Sequence, residues 1–516
     1  MNLDRICIRC VQFPLVIPVS LALFATGCGS RPVESSVVTT KNPLVAQYNV
    51  SVSGAAQAWV EFGPDTNYGR QTSQYAGSAA GIYVFNILVA GMTPSSTYHM
   101  RAHVQWATGS TWMDEDRTFT TGPLPTSQPV PQILASRPVS GTTASVTLIP
   151  GIELLSLAPP NGVGLNIVAA DLLGNVIWFC PIGAVTAKPM QNGHYLINAY
   201  TDLLEVDLTC STIRDVSVAQ VNQSLQANGY DFTIPPNQGL PGGGQFHHDV
   251  LVLPNGHWIA LCQIAKSFSD LSGYPGTTNV VGDALVDIDL NGNVVWAWSA
   301  FDHLDANRHP YFGLPDWTHS NAVVDTQDGN LLLSMRAQSW ILKIDYANGS
   351  GTGDILWKLG EEGDLTLLGG DPSQWFYAQH YPSIMSVNGS LTAIAIYDDG
   401  NFRTYSDGTV CGSSASAPAC YSRATIFQVD ESTMLATLLW EDTPGFFSPW
   451  GGSIGALSNG DIEFDSSSPN SGPVSQIMEV TQTDGPQIVW QMSISGANAY
   501  RGYRIPSLYP GVTWTQ

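Results

Sequence analysis

From about residue 140 to its end, the chain repeats itself. A phrase of apolar residues, a glycine turn and a strand ending in tryptophan recurs at Gly174-Asn175-Val176-Ile177-Trp178, Gly292-Asn293-Val294-Val295-Trp296 and Gly353-Asp354-Ile355-Leu356-Trp357. Looser copies end at Trp440 and Trp490. A second phrase, a turn leading into an apolar strand, recurs at Asn192-Gly193, Asn255-Gly256, Asp328-Gly329, Asn388-Gly389 and Asn459-Gly460. Together they mark six units, beginning near residues 143, 184, 247, 319, 380 and 451. Strand-only units of about 40–70 residues cannot bury their faces alone and must stack on one another. The expected fold is therefore all-β, a six-bladed β-propeller over 140–516. The first unit is the least regular and leaves a seventh blade open; a β-helix would need shorter coils.

The rest of the chain is read against that repeat. At 516 residues it is too long for one ordinary core. Residues 1–28 read as an export signal: Arg5 and Arg9 precede an apolar run from Phe13 to Phe24 that is short for a membrane span. The run ends in Ala25-Thr26-Gly27-Cys28, which resembles a bacterial lipobox with Cys28 as the lipidated residue. A periplasmic protein on a lipid anchor in the outer membrane is the resulting expectation, an ordinary cleaved signal the alternative. After a tether (29–41), residues 42–121 alternate as short half-buried strands do. There, Thr93-Pro94-Ser95-Ser96-Thr97-Tyr98 resembles the tyrosine corner of a fibronectin type III-like β-sandwich, a spacer or docking module. Residues 122–139 carry Pro123, Pro125, Pro129, Pro131 and Pro138 and are expected to be a stiff linker outside any sheet. A net charge of −23 excludes nucleic acid as a partner. Cysteine usage suits an oxidising compartment, with a local Cys411–Cys420 disulfide, a buried Cys262 thiol, and Cys180 and Cys210 free to pair or not.

Three histidines occupy one column of the repeat. His247 and His380 lie nine residues before their unit's turn glycine, and His319 lies ten before, its turn being one residue longer. Residues starting the inner strands of a propeller crowd one mouth of the central channel, so these rings should converge there. Asn321, two residues after His319, is expected on the same face, and Arg336 on the next strand supplies a bidentate cation. By alternation His248 should turn away as a supporting partner, close to Asp249. Three imidazoles could ligate a metal, but no carboxylate or cysteine completes the column and Arg336 would repel a cation. Sulfuryl or phosphoryl transfer fits better: one neutral imidazole attacks while the other cations hold the oxyanion. No glycine-rich phosphate loop is present, so a nucleotide donor is not indicated, and no cofactor is expected.

The column and its surroundings, with His319-x-Asn321, Arg336, Gln379-His380 and the closing Tyr500-Arg501-Gly502-Tyr503-Arg504-Ile505-Pro506-Ser507-Leu508-Tyr509-Pro510, resemble the bacterial arylsulfate sulfotransferase family. The resemblance implies a six-bladed periplasmic propeller that moves a sulfuryl group from a phenolic sulfate donor to a phenolic acceptor. It implies that His380 is the nucleophile and that His247, His319, Asn321 and Arg336 bind the sulfuryl oxygens. His248 and Tyr381 stand beside them as candidate substrate contacts. Phe246, Trp317, Tyr381 and Trp450 are the candidate ring contacts. Two other readings stay open: a non-catalytic propeller binding a glycan or protein, and a hydrolase of sulfate or phosphate esters.

Overall fold

The computed structural model describes residues 33–77, 81–126, 131–136, 147–159, 166–236, 245–309 and 311–515. The export segment and Cys28 lie outside the described residues. Among the described residues the chain is all-β, built mainly from antiparallel strand pairs with two short α-helices, Val218–Ala227 and Ala300–His303.

Two facing sheets come first. One pairs Glu34–Thr39, Ala46–Ser53 and Ile82–Val89; the other is built on Ala56–Gly63 and Thr97–Trp106. Alternate residues of these strands point inward, so Tyr48, Val50, Val60, Phe62, Met100 and Val104 close a shared core. At the expected corner, the Tyr98 hydroxyl accepts from the Thr93 backbone N–H at 3.0 Å.

Six further sheets follow in chain order. The second holds Thr186–Pro189, Tyr195–Asn198, Asp202–Val206 and Thr212–Ser217; the third runs from Phe246–Val252 to Val294–Ser299. The fourth runs from Ser320–Asp325 to Ile355–Leu359, the fifth from His380–Asn388 to Leu435–Asp442, and the sixth from Ser453–Ala456 to Ile488–Ser495. Their middle strands are buried on both faces, as along Leu331–Met335, because each sheet is sandwiched between its neighbours. That is why these strands read as unbroken apolar runs rather than alternating ones.

The first sheet explains the irregular first unit. Its strands Ile152–Ala158, Ile167–Asp171 and Val176–Cys180 lack an inner partner from their own stretch of chain; the C-terminal strand Asn498–Ile505 fills that place. The start and end of the repeat are thus joined in one sheet. Each sheet's first strand packs on the next: Thr186–Pro189 on Phe246–Val252, then Ser320–Asp325, His380–Asn388, Ser453–Ala456 and Asn498–Ile505.

The recurring tryptophans tie the outer edges together. The indole N–H of Trp178 donates to the Leu208 carbonyl of the second sheet, Trp296 to Gly351 of the fourth, Trp357 to Glu431 of the fifth and Trp440 to Thr483 of the sixth. Trp490 returns from the sixth sheet to Leu172 of the first. The second sheet lacks the tryptophan, and Arg214 does the same work: its guanidinium lies 3.4 Å over the Trp258 ring and donates to the Leu290 carbonyl of the third sheet. Each such bond stabilises by about 0.5–1.5 kcal/mol net.

Three expectations need correction. Residues 34–39 of the expected tether form a strand paired with Ala46–Ser53, so the N-terminal sheets begin before residue 42. The proline-rich stretch is not free of sheet structure: Gln132–Ser136 pairs antiparallel with Ile488–Ser495 as the outer edge of the sixth sheet. The prolines flank this strand instead of interrupting it, and an edge strand tolerates a missing N–H on its outer side. Nor is the N-terminal pair of sheets held off as a spacer. Its core is continuous with that of the first and second sheets through Trp514, Tyr509 and Trp178. Trp514 meets Phe62 edge-on and donates to the Gln71 carbonyl at 3.0 Å. Cys411–Cys420 and Cys180–Cys210 are both disulfide-bonded, and Cys262 is a buried thiol.

Candidate active site

Three consecutive inner strands begin with the same irregularity. Ladder pairing shifts between Phe246 and Val250, between Ser320 and Ala322, and between His380 and Ser383. Beside each shift a residue other than glycine takes a left-handed φ: His248 (54°), His319 (46°) and Tyr381 (43°). Such a conformation costs about 1–2 kcal/mol per residue, and a bulge of this kind re-aims a side chain.

The outcome is a cavity of about 620 Å³ at the start of the inner strands. Its polar wall is His248, His319, Arg336, His380, Asn401 and Tyr500; Leu157, Ala158, Pro159, Ala184, Val185 and Trp450 supply an apolar one. The His248 and His319 rings are 4.8 Å apart between centroids, and Tyr500 stands edge-on to both His248 (5.6 Å) and His380 (6.0 Å).

The alternation argument had His247 and His248 the wrong way round, because the left-handed turn at His248 breaks the two-residue period. His248 enters the cavity. His247 sits behind it, its Nδ1 at 2.7 Å from His248 Nδ1 and its Nε2 at 3.1 Å from Asp283 Oδ1, with the N–H aimed off the hydrogen-bond line. Asn321 is fully buried and does not line the cavity; the same irregularity turns its amide to donate to the Gln379 carbonyl at 2.7 Å. Tyr381 also faces elsewhere, its hydroxyl accepting from Lys188 at 3.3 Å and its ring under the Arg501 guanidinium at 4.2 Å. Of the four candidate ring contacts only Trp450 lines the cavity; Phe246 and Trp317 are core residues.

A carboxylate stands behind each histidine of the column. Asp399 Oδ2 is 2.6 Å from His380 Nδ1, Asp316 Oδ2 is 2.5 Å from His319 Nδ1, and Asp283 serves His247. Burial first, then Arg336 and Arg501, pushes the His380 imidazolium well below its ordinary pKa, and burial lifts the Asp399 carboxyl well above its own. The Gly451 N–H donates to His380 Nε2 at 3.2 Å, so Nε2 carries the lone pair and the single shared proton lies between Nδ1 and Asp399. Gly451 cannot be replaced there: its φ is 70° and a Cβ would strike Ser467.

Arg336 supplies the charge. Its Nη2 donates to the Pro449 carbonyl at 2.9 Å, its ring neighbour is Phe312 at 4.5 Å, and its buried Nε has no partner among the described residues. Arg501, beside Tyr500 on the closing strand, is fully buried, has no partner for Nε and Nη1 among the described residues, and donates through Nη2 to the Asn321 carbonyl. A guanidinium with spare donors at the edge of a desolvated cavity is an anion site. Among the described residues, no three His, Cys, Asp or Glu side chains are grouped as a metal cage.

Several of these residues escape sequence reasoning. Tyr500 and Arg501 belong to a strand supplied from the far end of the chain, and Asp399 lies 19 residues from His380 in sequence, with Asp283 further still from His247. Asp316, three residues before His319, was within reach of the eye.

Among solved structures, the chain aligns with Synechocystis apocarotenoid oxygenase in mutant forms. One shares 8% identity over 92% of this chain and 94% of that one, with a TM-score of 0.27; another shares 10% over the same proportions, with a TM-score of 0.23. Superpositions that loose bear on neither fold nor function. No curated protein matches. The sequence model of the family described as Arylsulfotransferase (ASST) matches residues 161–504, a span that runs from the first sheet through every residue of the cavity's polar wall to the closing strand. The chain belongs to the arylsulfotransferase family.

Proposed function

We propose that this protein is a nucleotide-independent aryl sulfotransferase that works by double displacement through a sulfurylated His380. Family membership supports aryl sulfotransfer in general. The observation that carries the finer reading is His380 itself: a neutral ring in the cavity wall, oriented by a buried carboxylate, whose Nε2 carries the lone pair and accepts from the Gly451 N–H, in the same wall as Arg336 and two more imidazoles. In the first half-reaction Nε2 attacks the sulfur of a phenolic sulfate ester and the phenolate leaves. In the second, an acceptor phenol displaces the imidazole. Arg336 binds the non-bridging oxygens, and His319, oriented by Asp316 at Nδ1, lines the wall beside them. Preorganised donors of this sort in a desolvated site are the largest contributors to such catalysis. The apolar wall and Trp450 accept the aromatic ring. We take the six repeat sheets, ring-stitched by their tryptophans, as the blades of a propeller, and the N-terminal pair as a fibronectin type III-like sandwich docked on it.

The test is release of 4-nitrophenol from its sulfate ester. Steady release that depends on added phenol supports transfer; steady release to water alone supports an ester hydrolase, and no release supports a binding propeller. Activity should persist in chelator. We also propose that Cys28 is lipidated and holds the protein on the periplasmic face of the outer membrane; a Cys28→Ala protein that stayed membrane-bound through high salt would contradict this.

A further inference from the structure

Double displacement leaves one matter open: the departing phenolate needs a proton, and the acceptor phenol must lose one. His248 stands at the cavity with Nδ1 turned to His247 and no protein hydrogen bond on Nε2 among the described residues. Burial, with His319, His247, His380 and Arg501 around it, holds the His248 imidazolium well below the ordinary range, so this ring cannot keep a second proton. Behind it, Asp283 is set up as an anion. Its Oδ2 accepts from the Thr318 hydroxyl at 2.7 Å and the Ser320 N–H at 2.6 Å. Burial alone would raise its pKa, but the His247 ring and these two donors bring it below the usual carboxylate value. A positive charge that His248 cannot hold can therefore rest one imidazole further back, between His248 and Asp283.

Resting on the double-displacement reading, we propose that His248, His247 and Asp283 form a two-imidazole proton relay that serves both half-reactions. With His247 neutral, its Nε2–H faces Asp283, its Nδ1 accepts from His248 Nδ1–H, and His248 Nε2 has a free lone pair for the acceptor phenol's proton. As His248 Nε2 takes that proton, His248 passes its Nδ1 proton to His247, and the O–S bond forms as the N–S bond to His380 breaks. His248 is then neutral with Nε2–H, and His247 is an imidazolium against Asp283. The next donor is cleaved in this state: the N–S bond forms, the O–S bond breaks, and His248 Nε2–H protonates the leaving phenolate while His247 returns its proton. No proton is gained or lost over the cycle. His248 touches the reacting oxygen; His247 and Asp283 act through it.

The test compares two donors that differ in leaving-group basicity. 4-Nitrophenolate leaves without a proton, whereas unsubstituted phenolate, near the tyrosine value of about 10, does not. General acid–base catalysis is worth roughly 10²–10⁴. His247→Phe should slow single-turnover cleavage of phenyl sulfate at least about tenfold more than that of 4-nitrophenyl sulfate, and Asp283→Asn should act in the same direction. His247→Gln, nearer in polarity, gives the same comparison should the phenylalanine variant fail to fold. A structural role would slow both donors alike, and equal slowing overturns the relay. Absence of any sulfurylated wild-type intermediate would count against double displacement instead, and the donor ratio in steady turnover would still decide the relay.

Discussion

Replacing Asp399 separates two ways in which a carboxylate can serve His380. The 2.6 Å contact between Asp399 Oδ2 and His380 Nδ1 is fully buried, and the Gly451 N–H occupies the opposite ring nitrogen. Asp399→Ala removes one hydrogen bond to a charged partner, worth about 1.5–3 kcal/mol, and should slow sulfurylation of His380 by roughly 10–150-fold. Asp399→Asn should do worse. Its carboxamide can donate to Nδ1, which places the ring proton on Nε2 and removes the attacking lone pair; the same change in the serine-protease triad costs about 10⁴ in rate. The assay is the burst of 4-nitrophenolate in the absence of acceptor, with circular dichroism confirming the fold. Asn at or above the Ala rate would refute the argument that Asp399 acts by fixing the tautomer.

Arg336→Lys keeps the charge but loses the planar fork, and kcat/KM should fall more than about tenfold, or ~1.4 kcal/mol; an unchanged value would mean that the guanidinium does not meet the oxyanion. The sign of the pH profile follows from His380: a pKa pushed below its ordinary value keeps Nε2 unprotonated as the pH falls, so the burst rate should hold through about pH 6.5, where a free imidazole would be half lost. A half-drop near that value would contradict a desolvated nucleophile. Trp490→Phe orphans the Leu172 carbonyl that a buried indole satisfies, and urea unfolding should show a loss of about 1–3 kcal/mol, whereas Trp440→Phe, whose bond to Thr483 is exposed, should cost under about 1. Equal losses would mean that the seam between the sixth and first sheets is no more critical than the others.

Much of this architecture is readable from residue order because most units carry their own glycine turn and, except for the second, their own tryptophan. Local turn chemistry and apolar runs sufficed to count six units. What was hidden depends on distance or on a single dihedral angle. The inner strand of the first sheet arrives from Asn498–Ile505, bringing Tyr500 to the cavity and Arg501 behind it from over 300 residues away from Ile152–Ala158. At the column, the strand period predicts His247 and Asn321 inward, but left-handed turns at His248 and His319 reverse those faces. The three supporting carboxylates belong to neighbouring loops and strands that only the assembled fold brings together. Prolines near Gln132–Ser136 signalled an open linker, yet a strand at a sheet edge can accommodate them on either side.

The central claim is that His380 carries the sulfuryl group between donor and acceptor. Enzyme incubated with 4-nitrophenyl sulfate and no phenol, quenched in alkali and digested, should contain one peptide bearing an added sulfuryl group at His380, and brief exposure to phenol should clear it. A sulfurylated His248 or His319, or an unmodified enzyme that still turns over when phenol is present, would contradict the account.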